Sequence, residues 1–263
     1  MVLEKLVTIR EAVRHPLWML VIGALVSVVS LFISFLIFPE SVGLFTTVLV
    51  TFIMTPFMVN LLTYEAFITE LEIKKRLHQN FFQRHWDILL IYTAFFSGMI
   101  IALTLTFMFL PSETVEKLFE DQINEIKLIR GSFLFSSTFI KIAINNVGVL
   151  VLAGLFAFVF GSGAIFILSW NASVLAAAIG LTAKSIGGLS GIPVALITYL
   201  PHGVFEISAY FLGGIAGGIL SAVVMKRKTE LFGVMVNDSI KVMAVAIFLL
   251  LIGALIETML IAG

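Results

Sequence analysis

Apolar runs of roughly 20 residues recur along this chain of 263 residues, and they constrain its fold more than any other feature. Such a run spans the hydrocarbon layer of a bilayer as an α-helix. The composition agrees: 60% of the residues are hydrophobic and 12% are charged, against about 25% charged in ordinary soluble domains. The chain therefore reads as all-α, a multi-pass transmembrane helical bundle of about seven spans.

The candidate spans are Leu17–Phe38, Val42–Leu62 with Pro56 as a kink, Ile88–Leu110, Val147–Trp170, a short span from Asn171 to Lys184, His202–Val224 and Ile240–Ala262. Gly187, Gly188 and Gly191 interrupt the fifth, and the piece Ile192–Leu200 leads on to Pro201. Residues 184–200 either complete a broken span or re-enter the membrane. The first run is longer than a signal h-region of about 7–15 residues and is expected to stay as a span.

Basic residues gather before the first span (Lys5, Arg10, Arg14), between the second and third (Lys74, Lys75, Arg76, Arg84) and between the sixth and seventh (Lys226, Arg227, Lys228, Lys241). Seven spans place all three groups on one side. By the positive-inside rule this predicts a cell-membrane protein with a cytoplasmic N-terminus and an external C-terminus.

Three polar stretches pattern as amphipathic interfacial helices. They are 2–15, 63–86, and 112–130, where Ser112 suits an N-cap and Val115, Leu118, Phe119, Ile123 and Ile126 form a stripe. The organisation expected is a three-span region, 1–110, with a cytoplasmic helix at 63–87. An external amphipathic connection follows at 111–146, then a four-span core at 147–263.

Zero net charge offers no argument for nucleic acid, and the absence of cysteine excludes disulfides, thiolate metal sites and a cysteine nucleophile. No cofactor is expected. The expected partners are the bilayer and either further copies of the chain or other membrane proteins.

Polar and ionisable groups inside spans are costly and mark candidate function. In Pro201-His202-Gly203-Val204-Phe205-Glu206, the histidine and glutamate stand four apart and share a helix face. The pair reads as mutual hydrogen bonding, a proton or substrate site, or two ligands of a metal that would need a third from elsewhere. Asn145 and Asn146 are expected to enter the fourth span and Asn171 to leave it, as end caps or as part of a polar cavity. Lys184 either snorkels to the interface or pairs with Glu206. Glu257, near the C-terminus, is expected at the interface without a role. Gly213, Gly214, Gly217 and Gly218 form two overlapping GxxxG patterns, suited to tight helix packing or a dimer seam.

Two segments carry a resemblance. They are FIKIAINNVGVLVLAGLFAFVFGSG, Phe139 to Gly163, followed by Trp170-Asn171, and LPHGVFEISAYFLGGIAGG, Leu200 to Gly218. Over roughly 135–224 the chain resembles the stage II sporulation protein M (SpoIIM, DUF95) family, with PHG-x-x-E the most specific element. The resemblance implies that Asn146, Asn171, His202, Gly203 and Glu206 belong to a shared core pattern. It also implies a non-enzymatic role, since the family's sporulation members act as a membrane platform for peptidoglycan-degrading partners. Three functions are thus expected, in this order: a platform assembling partner proteins, a channel or transporter using His202 and Glu206, and an intramembrane enzyme. The absence of HExxH, GxSxG and a second acidic cluster counts against the last.

Overall fold

The computed structural model describes residues 7–75, 81–131, 138–225 and 229–262. Among these the chain forms α1 (Ile9–Arg14), α2 (Leu17–Ile37), α3 (Val42–Lys74), α4 (Phe81–Arg84), α5 (Trp86–Phe109), α6 (Ser112–Leu118), α7 (Glu120–Gly131), α8 (Thr138–Phe160), α9 (Ala164–Ile186), α10 (Ile192–Met225) and α11 (Thr229–Ala262). Seven of them, α2, α3, α5, α8, α9, α10 and α11, are long and apolar enough to cross a membrane. Large apolar side chains such as Leu36 (80% exposed) and Phe52 (79% exposed) point outward, which suits lipid and not water.

Several boundaries differ from the sequence expectations. The run 147–170 is not one span, because Gly161-Ser162-Gly163 breaks it. Gly161 takes a φ of 73°, a conformation that favours glycine, and α8 ends one residue earlier. α8 instead begins at Thr138 and α9 at Ala164, so Asn145, Asn146 and Asn171 all lie within helices and not at their ends. Residues 192–200 neither form a separate span nor re-enter. They are the first turns of α10, which runs unbroken through Pro201. The break lies just before, in the turn at Gly187 (φ 146°), Gly188 (φ 75°) and a short 3-10 helix, Gly188–Gly191.

Residues 63–74 extend α3 and are not an interfacial helix of their own; 76–80 lie outside the described residues, as do 1–6 of the N-terminal stretch. α11 starts at Thr229, eleven residues before the expected 240. Pro111, not Ser112, holds the N-cap position of α6, and no side chain caps that helix.

The interior packing follows from small residues. α10 is the most enclosed span, with 72% of its apolar window buried, and α11 the least, with 22%, so α10 is central and α11 peripheral. α9 lies beside α10 and buries Ala172, Ala176, Ala177, Gly180 and Ala183. α2 and α5 cross where a Cβ on Gly23 would stand 2.0 Å from the Phe95 carbonyl oxygen and one on Gly98 1.9 Å from that of Leu20. Neither backbone could come so close with a side chain at those positions. Tyr92 and Phe96 of α5 then pack against Phe211 of α10, with ring centroids 5.9 and 5.3 Å apart.

The stripe read for 112–130 faces protein and not lipid. Val115, Leu118, Phe119 and Ile126 are buried, and Phe119 packs on Phe107 at 5.1 Å. α7 is pinned at two further points. Its Asp121 accepts from the Leu44 amide at 3.1 Å, and its Gln122 side chain lies over Gly43 and donates to Ser173 Oγ at 3.1 Å. α6 and α7 thus form a cap on one end of the bundle.

A charged cluster marks the opposite end. At 1.5 Å per residue, α3 is about 50 Å long and α11 about 51 Å, well beyond a hydrocarbon layer of about 30 Å. Their projecting ends meet the start of α5. Glu65 Oε1 and His85 Nδ1 stand 2.6 Å apart and buried, and Arg84 bridges Glu72 (3.5 Å) and Asp238 (2.9 Å).

Candidate functional site

The polar residues of the C-terminal half divide into those that converge and those satisfied where they stand. Asn146 and Glu206 converge. Asn146 Nδ2 on α8 donates to Glu206 Oε1 on α10 at 2.6 Å, and Asn145 Nδ2 donates to Asn146 Oδ1 at 3.4 Å, giving a short chain of amides that ends on a carboxylate. Helical register explains the meeting. α8 and α10 cross where Gly217 faces the Gly154 backbone and Gly213 faces Leu150. Asn146 lies about one helical turn before Leu150, and Glu206 about two turns before Gly213, so the long glutamate side chain meets the amide across roughly one turn of stagger.

α11 closes the site. A Cβ on Gly253 would come 3.0 Å from Glu206 Cγ and 3.4 Å from the His202 carbonyl oxygen, so this glycine makes room for the glutamate. Glu257 is one helical turn further along and shares that face of α11. Its charge lies close enough to that of Glu206 to interact with it. Tyr210, one turn from Glu206 on α10, is buried and lies within the field of both carboxylates. The seam between α8, α10 and α11 therefore holds two carboxylates and an amide inside the apolar part of the bundle.

His202 shares the Glu206 face of α10, but its Nδ1 is buried with no hydrogen-bond partner, so no His–Glu couple forms through that nitrogen. Its ring meets that of Tyr199 edge-on, with centroids 6.2 Å apart. Among the described residues no three histidine, aspartate or glutamate side chains come together as a metal-binding group, so His202 and Glu206 gain no third ligand. Gly203 is buried, yet a Cβ there would touch nothing within 4 Å.

Asn171 stands apart. Its Nδ2 donates to the Ile167 carbonyl at 2.8 Å, one turn back in its own helix, which satisfies it locally. Lys184 does not pair with Glu206. It donates to the Leu110 carbonyl at 3.0 Å and lies over the Phe107 ring at 5.4 Å, near the end of α9. The four GxxxG glycines are used within the chain. Gly213 and Gly217 face α8, while Gly214 faces Ala164 and Gly218 faces Leu62 and the Gly161 carbonyl.

Sequence reasoning missed Glu257, Gly253 and Tyr210. A carboxylate within the last apolar run was the available signal for Glu257. Its nearness to the C-terminus put the residue at an interface and left it without a role.

The family described as SpoIIM, Stage II sporulation protein M, has a model that matches residues 44–260. That range takes in six of the seven spans and the whole Asn146–Glu206–Glu257 seam. No curated protein and no solved structure matches the chain. The chain belongs to the stage II sporulation protein M family.

Proposed function

From the Asn146–Glu206–Glu257 seam, we propose that this membrane protein moves a proton or another small cation through a site built on Glu206 and Glu257. The observation that carries the reading is the 2.6 Å contact of Asn146 Nδ2 with Glu206 Oε1, in a seam that also holds a second carboxylate. An intramembrane carboxylate is expensive and retained for a use. Two close carboxylates repel each other when both are ionised, and a proton or a cation relieves that repulsion. The Asn146 amide orients Glu206. In this reading the end bearing the 75–80 and 226–228 connections faces the cytoplasm, by the positive-inside rule, and the membrane is the cell membrane.

The test is flux into proteoliposomes under an imposed potential, followed with a pH-sensitive and a sodium-sensitive dye. The wild-type protein should exceed empty liposomes with one of the two dyes, and Glu206→Gln should fall to their level. Wild-type flux equal to that of empty liposomes with both would end the transport reading.

A platform for partner proteins is the second reading. What supports it is the docked cap, α6 and α7, held to the bundle by Asp121 and Gln122, with Glu113, Glu116, Lys117 and Glu120 exposed on its surface. A rigid charged surface of this kind suits recognition by a protein outside the membrane, and further copies of the chain are another candidate partner. Co-purification of a stoichiometric partner that charge reversal at Glu116 and Glu120 releases would support it. Unchanged recovery after charge reversal would count against it.

A further inference from the structure

We propose that a pocket between the cap and the bundle binds the phosphate-bearing headgroup of an anionic bilayer phospholipid. The pocket is a cavity of about 750 Å3, where α6 and α7 meet the last turns of α5 and α9. This size lies within the range of about 300–1,000 Å3 typical of small-molecule sites. Three elements contribute a lysine to it: Lys117 from α6, Lys127 from α7 and Lys184 from α9. Phe107, Ile123 and Leu181 supply apolar wall. Glu116 and Glu120 also line it, so the lysines exceed the carboxylates by one, three against two.

The depth selects a lipid over a soluble anion. Phe107 is two residues from the end of α5 and Lys184 two from the end of α9. A span ends where hydrocarbon gives way to headgroups, so basic and apolar side chains meet in this pocket at the level of lipid phosphates. Lys184 is held in place at the rim by the Leu110 carbonyl and the Phe107 ring. An ammonium has three donors and Lys184 commits one to that carbonyl, which leaves two for phosphate oxygens. Lys117 and Lys127 are exposed on the cap side of the same cavity. The apolar wall suits the glycerol and first methylenes of the lipid. This site lies at the capped ends of α5 and α9, and its existence does not depend on cation movement at Glu206.

The test uses the full chain purified in detergent and titrated with phosphatidylglycerol or phosphatidylcholine of the same acyl chains, with bound lipid read by native mass spectrometry. Phosphatidylglycerol should bind preferentially, and Lys117→Gln with Lys127→Gln should weaken it about thirtyfold, from the usual strength of lysine–anionic lipid attraction summed over two lysines. Lys241→Gln, far from the pocket, should leave it unchanged. Both pocket lysines are exposed, so the double variant should fold, and an unshifted melting temperature checks this. Equal binding of the two lipids would overturn the proposal, as would equal losses in the double variant and Lys241→Gln. Displacement of the lipid by an excess of glycerol 3-phosphate would overturn the lipid as occupant.

Discussion

Asn146 on α8 and Glu206 on α10, sixty residues apart in the chain, meet at 2.6 Å inside the bundle. Interhelical side-chain hydrogen bonds in bilayers average about 0.6 kcal/mol and reach about 1.7. The short distance and the carboxylate acceptor put this one toward the upper end. Asn146→Ala is therefore expected to cost about 1–2 kcal/mol in reversible unfolding from bicelles. The same substitution should cost clearly less beside Glu206→Ala. A cycle showing no coupling would mean that the contact holds nothing together.

The glycines divide into two groups that substitution should separate. Gly98→Ala puts a methyl 1.9 Å from the Leu20 carbonyl oxygen, a backbone atom that moves only if α2 moves, and Gly217→Ala does the same against Gly154 at 2.2 Å. Each should destabilise by about 1–3 kcal/mol, the usual cost of overpacking. Gly203→Ala and Gly148→Ala meet nothing within 4 Å. They should be neutral or stabilising by up to about 1 kcal/mol, the helix-propensity gain. Thermal melts of the four variants in detergent give the comparison. A large loss at Gly203 would show that its place in PHG-x-x-E serves something other than packing.

What was legible in the sequence tracks how local each cause is. Seven spans could be counted because most apolar runs are long enough by themselves to cross hydrocarbon, while the fifth, read as the short stretch Asn171 to Lys184, reaches spanning length only because its helix starts at Ala164. The tight packing of the sixth span could be read from Gly213 and Gly217, whereas the α2–α5 crossing could not. Gly23 and Gly98 stand alone in their helices, and only the meeting of the two helices makes them a pair. The boundary between α8 and α9 was misplaced because Gly-Ser-Gly inside an apolar run looks like more small packing residues. Only the positive φ at Gly161 makes it a turn. Pro201 looked like a helix start, but prolines are tolerated inside membrane helices when neighbours satisfy the freed backbone. The Asn–Glu seam was half legible: Asn146 and Glu206 were singled out by the cost of burying them, while Glu257 was set aside for its nearness to the C-terminus, and only the packing of α11 on α10 brings it toward Glu206. The salt bridge of Arg84 with Asp238 joins positions 154 residues apart, and no local pattern announces it.

His85 and Glu65 should behave as a buried pair. Their side chains are 1% and 7% exposed, and Nδ1 and Oε1 are 2.6 Å apart. Removing one partner strands a buried polar group without its hydrogen bond, which typically costs about 1–3 kcal/mol. His85→Ala should therefore lower the melting temperature more than Lys241→Ala, whose ammonium is 67% exposed in its own ion pair. Restoring polarity balance with Glu65→Leu beside His85→Leu should recover much of the loss. Equal melting of wild type and His85→Ala would show that the pair contributes nothing.

The N-terminal helix α1 carries a pH dependence of predictable sign. Thr8 and Glu11 form a capping box, with the Thr8 amide donating to Glu11 Oε2 at 2.8 Å and the Thr8 hydroxyl accepting from the Glu11 amide. The Thr8 amide, and then its hydroxyl, favour the carboxylate and hold Glu11 below its ordinary value of 4.5. A carboxyl group that is more acidic when folded stabilises the fold above its unfolded pKa and stops doing so as pH falls through the folded one. The cap should thus be intact at neutral pH and should loosen only below about 4.5. The Thr8 amide resonance should titrate in that acidic window, and Glu11→Gln should abolish the titration. A Thr8 resonance that moves identically in the variant would assign the change to another group.

Gly253 allows the placement of Glu206 to be tested without touching its charge. A Cβ at 253 stands 3.0 Å from Glu206 Cγ, a contact that alanine can relieve by a shift of a few tenths of an ångström. Valine adds two methyl groups on a rigid β-branched stem and has no such freedom. Gly253→Ala should keep the Asn146–Glu206 coupling. Gly253→Val should push the glutamate off the amide and erase the coupling in the double-mutant cycle, although both partners are still present. If cation movement depends on that placement, flux through Gly253→Val falls with the coupling, to the level of Glu206→Gln. Gly233→Val is the control on the same helix, since a Cβ there meets nothing within 4 Å. Coupling that survives in Gly253→Val would show that Glu206 finds Asn146 without help from α11, and Glu257 would then lose its structural link to the site.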